Sequence, residues 1–196
     1  MEVSGIILAG GRSSRMGRDK TLLLFNNETL IERIVKELKG VVDDIIIASG
    51  RTVKYNIDGI PEVCDAFAGA GPMGGLHAGL MAAKHHYAFV ISCDMPFFEG
   101  RMVKFLVDRC NSYAAVVPFI NGKFEPLCAV YSKECLEPIE KCLLANERKV
   151  LQFYPQVKLL KISESDLGFG EDLEKIFYNL NTPQDLASLP GQPKLL

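Results

Sequence analysis

Four cationic side chains, Arg12, Arg15, Arg18 and Lys20, fall within nine residues of one another, directly after the adjacent glycines Gly10 and Gly11. The segment reads Leu8-Ala9-Gly10-Gly11-Arg12-Ser13-Ser14-Arg15-Met16-Gly17-Arg18-Asp19-Lys20. The chemistry such a pairing suits is the handling of a triphosphate. Paired glycines let the backbone turn tightly and bring successive N–H groups close to a ligand, and a run of such donors forms an anion-binding concavity. Arg and Lys side chains then offset charge where it builds up in the transition state. The plainer alternative is a solvated basic loop beside an ordinary strand–helix turn. No GxxxxGK followed by Ser or Thr occurs, so the loop is not a P-loop, and Lys20 lies too far from Gly10 for that geometry.

A carboxylate is the natural complement of this loop, because Mg²⁺ prefers one or two carboxylates together with substrate phosphates and water. Asp94 follows the apolar run 87–93 and precedes Met95-Pro96, where Pro stops strand pairing. An acid there sits at a crevice edge and can hold Mg²⁺; its plainer role is to cap the next helix. Asp65 is the second candidate, to meet the base or ribose or to support the metal, with turn stabilisation as its alternative. Gly69-Ala70-Gly71-Pro72-Met73-Gly74 matches GxGxxG literally, but no apolar strand leads into it. It reads as a glycine-rich turn that caps a helix starting near Leu76 and lets a nucleoside approach the backbone. His77, His85 and His86 carry no assigned role, the last two being expected at a helix end. The six Cys include no CxxC and are expected as free buried thiols rather than a zinc site. The spacing of Cys128, Cys135 and Cys142 is explained by small apolar packing.

These residues need a frame that brings them to one edge. Residues 3–8 read as a buried parallel strand. Leu30, Ile31, Ile34, Val35 and Leu38 share one helix face, with Gly40 just past its end. Residues 41–48 form a second strand, 76–84 a helix, 87–93 a third strand and 102–110 a helix. The apolar runs 114–120 and 123–131 are joined by Asn121-Gly122, a hairpin signal. Residues 133–144 form a helix that Pro138 would kink, and 158–162 a late strand. Thr182-Pro183-Gln184-Asp185 reads as a capped helix start, and 190–196 as a frayed tail. The alternation predicts an α/β fold: one three-layer α/β/α domain over residues 1–196, with a mostly parallel, mixed central sheet. Ligands of such sheets bind beyond the carboxyl ends of the strands.

The bulk numbers narrow the class. With 196 residues, 48% hydrophobic and 23% charged, the chain can bury a core and is not of disordered composition. A net charge of −2 provides no global field toward nucleic acid or an anionic membrane, so a phosphate site must be built locally. No apolar run approaches bilayer length and no secretory signal opens the chain, so a cytoplasmic protein is expected.

With Leu8-Ala9-Gly10-Gly11, Ser14-Arg15-Met16-Gly17 and Asp19-Lys20, the chain resembles the sugar-phosphate and cofactor nucleotidyltransferases. Cys93-Asp94-Met95-Pro96-Phe97 is similar to the metal-site strand of one branch, the MobA-type molybdenum cofactor guanylyltransferases. The likeness continues through residues 71–76, 126–131, the Arg148 region and 179–183, and so spans nearly the whole chain. It implies a Rossmann-like nucleotidyltransferase fold. It also implies Mg²⁺-dependent transfer of GMP from GTP to the terminal phosphate of the molybdopterin cofactor, giving the guanine dinucleotide form and pyrophosphate. By motif position, Leu8, Ala9, Gly10 and Gly11 would contact the nucleotide, with Arg15 and Lys20 as the catalytic cations on its phosphates. Asp65 would contact the nucleoside and Asp94 would hold Mg²⁺. Arg148, Asn179 and Asn181 match positions linked to the acceptor side or to site architecture, Arg148 having a surface-helix role as its alternative. A molybdopterin acceptor would imply exchange with molybdenum-insertion enzymes and molybdoenzyme chaperones.

One departure concerns the base. The family often carries an Asn near the end of the second strand that helps read guanine, and here the segment is Ala48-Ser49-Gly50-Arg51. Cytidylyltransferases of the branch and sugar-phosphate nucleotidyltransferases use a similar loop, so base and acceptor stay open, with a backbone carbonyl or Ser49 left to read the base edge. A dinucleotide-dependent oxidoreductase using residues 69–74 and a non-catalytic nucleotide-binding module are the readings from other classes.

Overall fold

The computed structural model describes residues 1–10, 20–25, 28–50, 52–67, 69–170, 172–180 and 185, with Lys20 described by its backbone alone. Strand β1 (Val3–Leu8) is buried at all six positions. A parallel strand covered on both faces needs apolar side chains on both. Val3 and Ile7 point to one layer, with Ile34, Leu38, Met102 and Leu106; Ile6 and Leu8 point to the other, with Met73, Leu76 and Leu80.

A two-residue antiparallel pair, β2 (Leu24–Phe25) and β3 (Glu28–Thr29), leads into helix α1 (Leu30–Leu38). Thr29 starts α1 with a capping box: its hydroxyl accepts from the Glu32 N–H while the Glu32 carboxylate accepts from the Thr29 N–H. Gly40, at φ 87°, turns the chain out of the helix, as the sequence predicts. Then follow β4 (Asp44–Ala48), β5 (Glu62–Val63), α2 (Pro72–Ala82), β6 (Tyr87–Ser92), α3 (Arg101–Val107), β7 (Ala115–Ile120), β8 (Lys123–Phe124) and β9 (Cys128–Ser132). The remaining elements are α4 (Leu136–Leu144), β10 (Leu159–Ser163), α5 (Glu164–Leu167) and α6 (Asp172–Ile176).

The sheet order is β10-β7-β9-β6-β1-β4-β5, with β8 paired to β7. β9 is antiparallel to both β6 and β7, while β6, β1, β4 and β5 run parallel, as do β7 and β10. Helices α1, α3 and α6 cover one face, and α2 and α4 the other. This is the mixed, mostly parallel three-layer arrangement expected.

Several details differ from the sequence-based expectation. α2 begins at Pro72, so Gly74 and Gly75 form its first turn rather than a loop before it; Pro suits that position because its missing N–H has no helical partner there. The run 123–131 is two strands, because the chain leaves β7 after Phe124 and re-enters the sheet at Cys128 between β6 and β7. Pro138 lies in the first turn of α4, preceded by a 3₁₀ turn at Lys133–Cys135, where it costs no interior hydrogen bond. His85 lies beyond the end of α2, where its N–H donates to the Ser4 hydroxyl and its ring meets Glu2 and Asp44. Five of the six thiols are buried, as expected, but Cys64 is exposed.

Gly79 marks the place where α2 crosses β1. A Cβ there would approach Ile6 Cγ2 to 2.4 Å, and Ile6 is fully buried with nowhere to move. Gly79→Ala is therefore expected to destabilise the fold by about 1–3 kcal/mol. A lowered urea midpoint at unchanged slope would show this; an unchanged midpoint would show that the helix lifts off the strand without cost.

Candidate functional site

β1, β4, β5 and β6 are in parallel register and end at Leu8, Ala48, Val63 and Ser92. The residues after them, Ala9-Gly10, Ser49-Gly50, Cys64-Asp65 and Cys93-Asp94, therefore emerge at one edge. β9 runs the other way, so the segment leading into it reaches the same edge, where Leu127 accepts a bond from the Ser92 N–H at 2.8 Å.

The floor of the site is backbone. Leu8 and Ala9 are buried. The Ala9 N–H donates to Ala48, and the Ala9 carbonyl accepts from the Tyr55 hydroxyl at 2.7 Å. Gly10 lies against Gly50 so closely that a Cβ on it would be 2.8 Å from the Gly50 nitrogen. Gly50 has φ 82°, and its carbonyl accepts from the Asp65 N–H at 2.6 Å. Gly10, Gly50 and Asp65 are thus linked, backbone to backbone, across three strand ends.

Ser49 is turned away from this edge. It is 1% exposed and both its N–H and its hydroxyl donate to the Val63 carbonyl. The expectation that its hydroxyl reads a base edge is therefore wrong: the strand pleat points the side chain inward. The loop beyond is anchored by Glu62, whose carboxylate accepts from the N–H groups of Lys54, Tyr55 and Asn56. Burial pushes the Glu62 carboxyl up, but hydrogen bonds, those from the Tyr55, Lys54 and Asn56 N–H groups among them, outweigh it and hold it below the usual range. Glu62 fixes Tyr55, and Tyr55 fixes Ala9. Tyr55→Phe removes that last bond and is expected to cost about 1 kcal/mol of stability. A lowered thermal midpoint would show this, and an unchanged midpoint would separate Tyr55 from the Ala9 end of the edge.

Asp94 sits where the sequence places it. Its carbonyl accepts from the Leu180 N–H at 2.9 Å. Around it, Leu23, Phe25, Leu30 and Leu180 form a small core closed by Phe97 and Tyr178. Phe97 meets Phe25 edge-on at 5.6 Å. This cluster joins Leu23, Phe25 and Leu30 to Phe97 of the Asp94 loop and to Tyr178 and Leu180. Asp94 is not the cap of α3, which is Gly100. Its Oδ1 is buried with no hydrogen-bond partner among the described residues. A buried, unpaired carboxylate oxygen is costly, and its retention calls for a partner that the described residues do not supply.

Sequence reasoning missed Glu125. Burial pushes its carboxyl up, Lys123 draws it down, and the Asp94 charge raises it again, so the two carboxylates face one region. Its only sequence signal is its position immediately before Pro126.

Asp65 rests on the first turn of α2. Its Oδ2 lies 3.0 Å from where a Cβ on Gly74 would be, and its Oδ1 3.8 Å from one on Gly75. The paired glycines make the room. Its Oδ1 is buried without a hydrogen-bond partner among the described residues. Burial pushes this carboxyl up and His77 draws it down. Arg148 lies in the loop after α4, not on a surface helix; its guanidinium donates to the Gly69 carbonyl and to Asn146 Oδ1. The Asn179 amide donates to the Phe177 carbonyl.

Leu8, Ala9, Gly10, Asp65 and Asp94 thus share one edge, while the Lys20 backbone opens the 3₁₀ turn that leads into β2. Gly11, Arg12, Arg15, Arg18, Arg51 and Asn181 lie outside the described residues, as do the Thr182 cap and residues 190–196. Among the described residues no three His, Cys, Asp or Glu side chains gather as a metal cluster. No described helix is long and apolar enough to cross a membrane.

Known proteins share this arrangement. A family model described as the MobA-like NTP transferase domain matches residues 5–159. A protein named probable molybdenum cofactor guanylyltransferase, from Pelotomaculum thermopropionicum, is 40% identical over 187 residues, covering 95% of this chain and 91% of its own. A molybdenum cofactor guanylyltransferase from Desulfosudis oleivorans is 36% identical over 186 residues, covering 94% and 92%. Among solved structures, molybdopterin-guanine dinucleotide biosynthesis protein A from Archaeoglobus fulgidus superposes with a TM-score of 0.81 at 24% identity, covering 94% of this chain and 95% of that one. At that identity the superposition shows the shared fold.

Proposed function

The chain belongs to the MobA-like NTP transferase family, and on that premise we propose that it transfers GMP from GTP to the terminal phosphate of the molybdopterin cofactor, releasing pyrophosphate. The observation that carries this reading is the buried, unpartnered Asp94 Oδ1 on the same edge as the Gly10–Gly50 backbone contact. A carboxylate oxygen left without a partner among the described residues, beside a backbone-lined floor, suits a metal-bound triphosphate.

Leu8, Ala9, Gly10 and Gly11 line the nucleotide, Arg15 and Lys20 take its phosphates, and Asp65 meets the nucleoside. Asp94, with Glu125 beside it, fits Mg²⁺, which takes one or two carboxylates and keeps the rest of its shell for phosphate and water. Held there, Mg²⁺ would supply electrostatic stabilisation for the charge that moves onto pyrophosphate. An acceptor phosphate oxygen forms the new bond to the α-phosphorus as the bond to the bridging α–β oxygen breaks. The acceptor is already ionised at neutral pH, so no strong general base and no covalent enzyme intermediate is needed. The work of the protein is to align the two reactants and to neutralise charge.

With the Ser49 hydroxyl occupied, base selection falls to the backbone at Gly50 and to Asp65. A carboxylate accepts from the paired N–H donors of guanine, whereas the corresponding edge of cytosine offers one donor. The molybdopterin acceptor places the chain, working as one domain in the cytoplasm, in exchange with molybdenum-insertion enzymes and molybdoenzyme chaperones. GTP labelled separately at its α- and γ-phosphates tests the reaction. The α-label should move to molybdopterin and the γ-label should leave in pyrophosphate; a γ-label on the acceptor would contradict nucleotidyl transfer. An α-label that moves only to a sugar phosphate would put the chain in the other branch.

A further inference from the structure

The buried Oδ1 of Asp94 has no hydrogen-bond partner among the described residues, so no bond to that atom aims the carboxylate; the course of the main chain does. That main chain is the loop from β6 to α3. It leaves the sheet at Cys93, whose N–H donates to the Leu8 carbonyl at 3.2 Å, and it reaches α3 at Gly100. Met95 and Phe98 are buried in the same layer as α1 and α3, and the Phe98 N–H donates to the Met95 carbonyl at 3.2 Å.

Two side chains of α1 fasten this loop from outside the site. The Arg33 Nε–H donates to the Pro96 carbonyl, two residues beyond Asp94. The Glu37 carboxylate accepts from the Gly100 N–H at 2.9 Å, where α3 begins. Arg33 and Glu37 are four residues apart and so lie on one face of α1, one turn from each other. Their polarity matches the loop: a cation meets its carbonyl and an anion meets its N–H. Each bond joins a charged group to the backbone, the stronger class of hydrogen bond. Both side chains are half-buried and braced. The Arg33 guanidinium carbon lies 5.7 Å from the centre of the Phe25 ring, and Phe97, next after Pro96, meets that ring edge-on. A Cβ on Gly100 would come 2.5 Å from the Glu37 carbonyl oxygen, so helix and loop already touch there backbone to backbone.

We propose that Arg33 and Glu37 are positioning residues that clamp the loop 94–100 against α1, and so set how firmly Asp94 grips the metal of the metal–nucleotide complex. Neither residue is among those assigned to the nucleotide, the metal or the acceptor. The inference rests on the reading that Asp94 holds Mg²⁺. Groups standing behind a metal ligand typically cost about ten- to a hundredfold in metal affinity or activity when removed. Here the support passes through two residues of main chain.

The test is calorimetric titration of GTP onto the full chain with no acceptor present, once with Mg²⁺ and once with a chelator, with thermal melting on each variant. The ratio of the two affinities reads the grip on the metal, and the affinity in chelator reads the rest of the nucleotide site. Arg33→Met keeps the length of the side chain and loses the donor. It is expected to shrink the ratio about tenfold, with affinity in chelator changed by less than about twofold. Arg33→Gln, whose amide nitrogen stands at the Nε position, is expected to restore most of the ratio. Glu37→Met and Glu37→Gln should repeat the pattern, since glutamine keeps an oxygen for the Gly100 N–H. In an Asp94→Asn background, Arg33→Met is expected to take nothing further from the ratio. An unchanged ratio in Arg33→Met, equal losses in the Met and Gln variants, equal losses with and without Mg²⁺, or the same further loss in the Asp94→Asn background would each overturn the proposal and leave the pair a packing contact. Should Arg33→Met fail to fold, the two Glu37 variants carry the comparison. Failure of the underlying reading looks different: the wild-type ratio would be near one, or Asp94→Asn alone would leave it unchanged.

Discussion

Asp94→Ala is expected to leave a folded protein whose turnover has fallen about a thousandfold, the scale seen when one electrostatic stabiliser of a transition state is removed. The two halves of that expectation come from different atoms. The fold survives because what Asp94 gives its surroundings is main chain: its carbonyl accepts from the Leu180 N–H, and an alanine carbonyl does the same. Among the described residues the buried Oδ1 makes no hydrogen bond to lose. Its removal relieves a desolvated charge rather than creating one. Turnover falls because that carboxylate is the one proposed to hold Mg²⁺. Glu125 lies in the same region but carries a carboxyl that burial pushes up, so it is a poor substitute. Asp94→Asn, which keeps the shape and loses the charge, should behave like the alanine. Turnover within a fewfold of wild type, with an unchanged melting curve, would remove Asp94 from the mechanism.

Gly10→Ala is expected to lower kcat/KM for nucleotide about a hundredfold, the cost of a displacement near 1 Å at a reacting centre, and stability by about 1–3 kcal/mol. The added Cβ would meet the Gly50 nitrogen at 2.8 Å, the Gly50 Cα at 3.0 Å and the Ser49 carbonyl carbon at 3.2 Å. All three are backbone, so no rotamer relieves the clash. Ser49 is tied to Val63, and Gly50 to Asp65, so the β4 end cannot yield alone. Relief requires the Gly10 loop and Asp65 to move apart, which separates the phosphate end of the site from the nucleoside end. Wild-type kinetics in Gly10→Ala would show that the close approach at Gly50 has no functional consequence.

How far the sequence carries the structure depends on the range of the forces involved. β1, α1 and β6 were legible because a buried strand or an amphipathic helix writes its burial into consecutive residues. The start of α2 was not, since Gly74 and Gly75 look like a turn until Asp65 is seen resting on them. β5 is two residues long and carries no pattern at all. The split of run 123–131 depends on β9 choosing β6 as well as β7, a tertiary event that apolar alternation does not record. In the site, Asp94 was legible as an acid ending an apolar strand. Tyr55 and Glu125 were not: each gains its meaning from a partner distant in sequence, as Tyr55 does from Ala9 at a separation of 46 and Glu125 from Asp94. Ser49 failed for the opposite reason, since its position in the chain was right and only the pleat decided which way it pointed.

The most direct test of the central claim is pyrophosphate release in the presence of Mg²⁺ with each of the four nucleoside triphosphates, with and without molybdopterin as acceptor. Release only with GTP and only when the acceptor is present is the predicted result. Release with CTP would keep the chemistry and contradict the guanine assignment, and no release with any nucleotide would contradict the proposed transfer altogether.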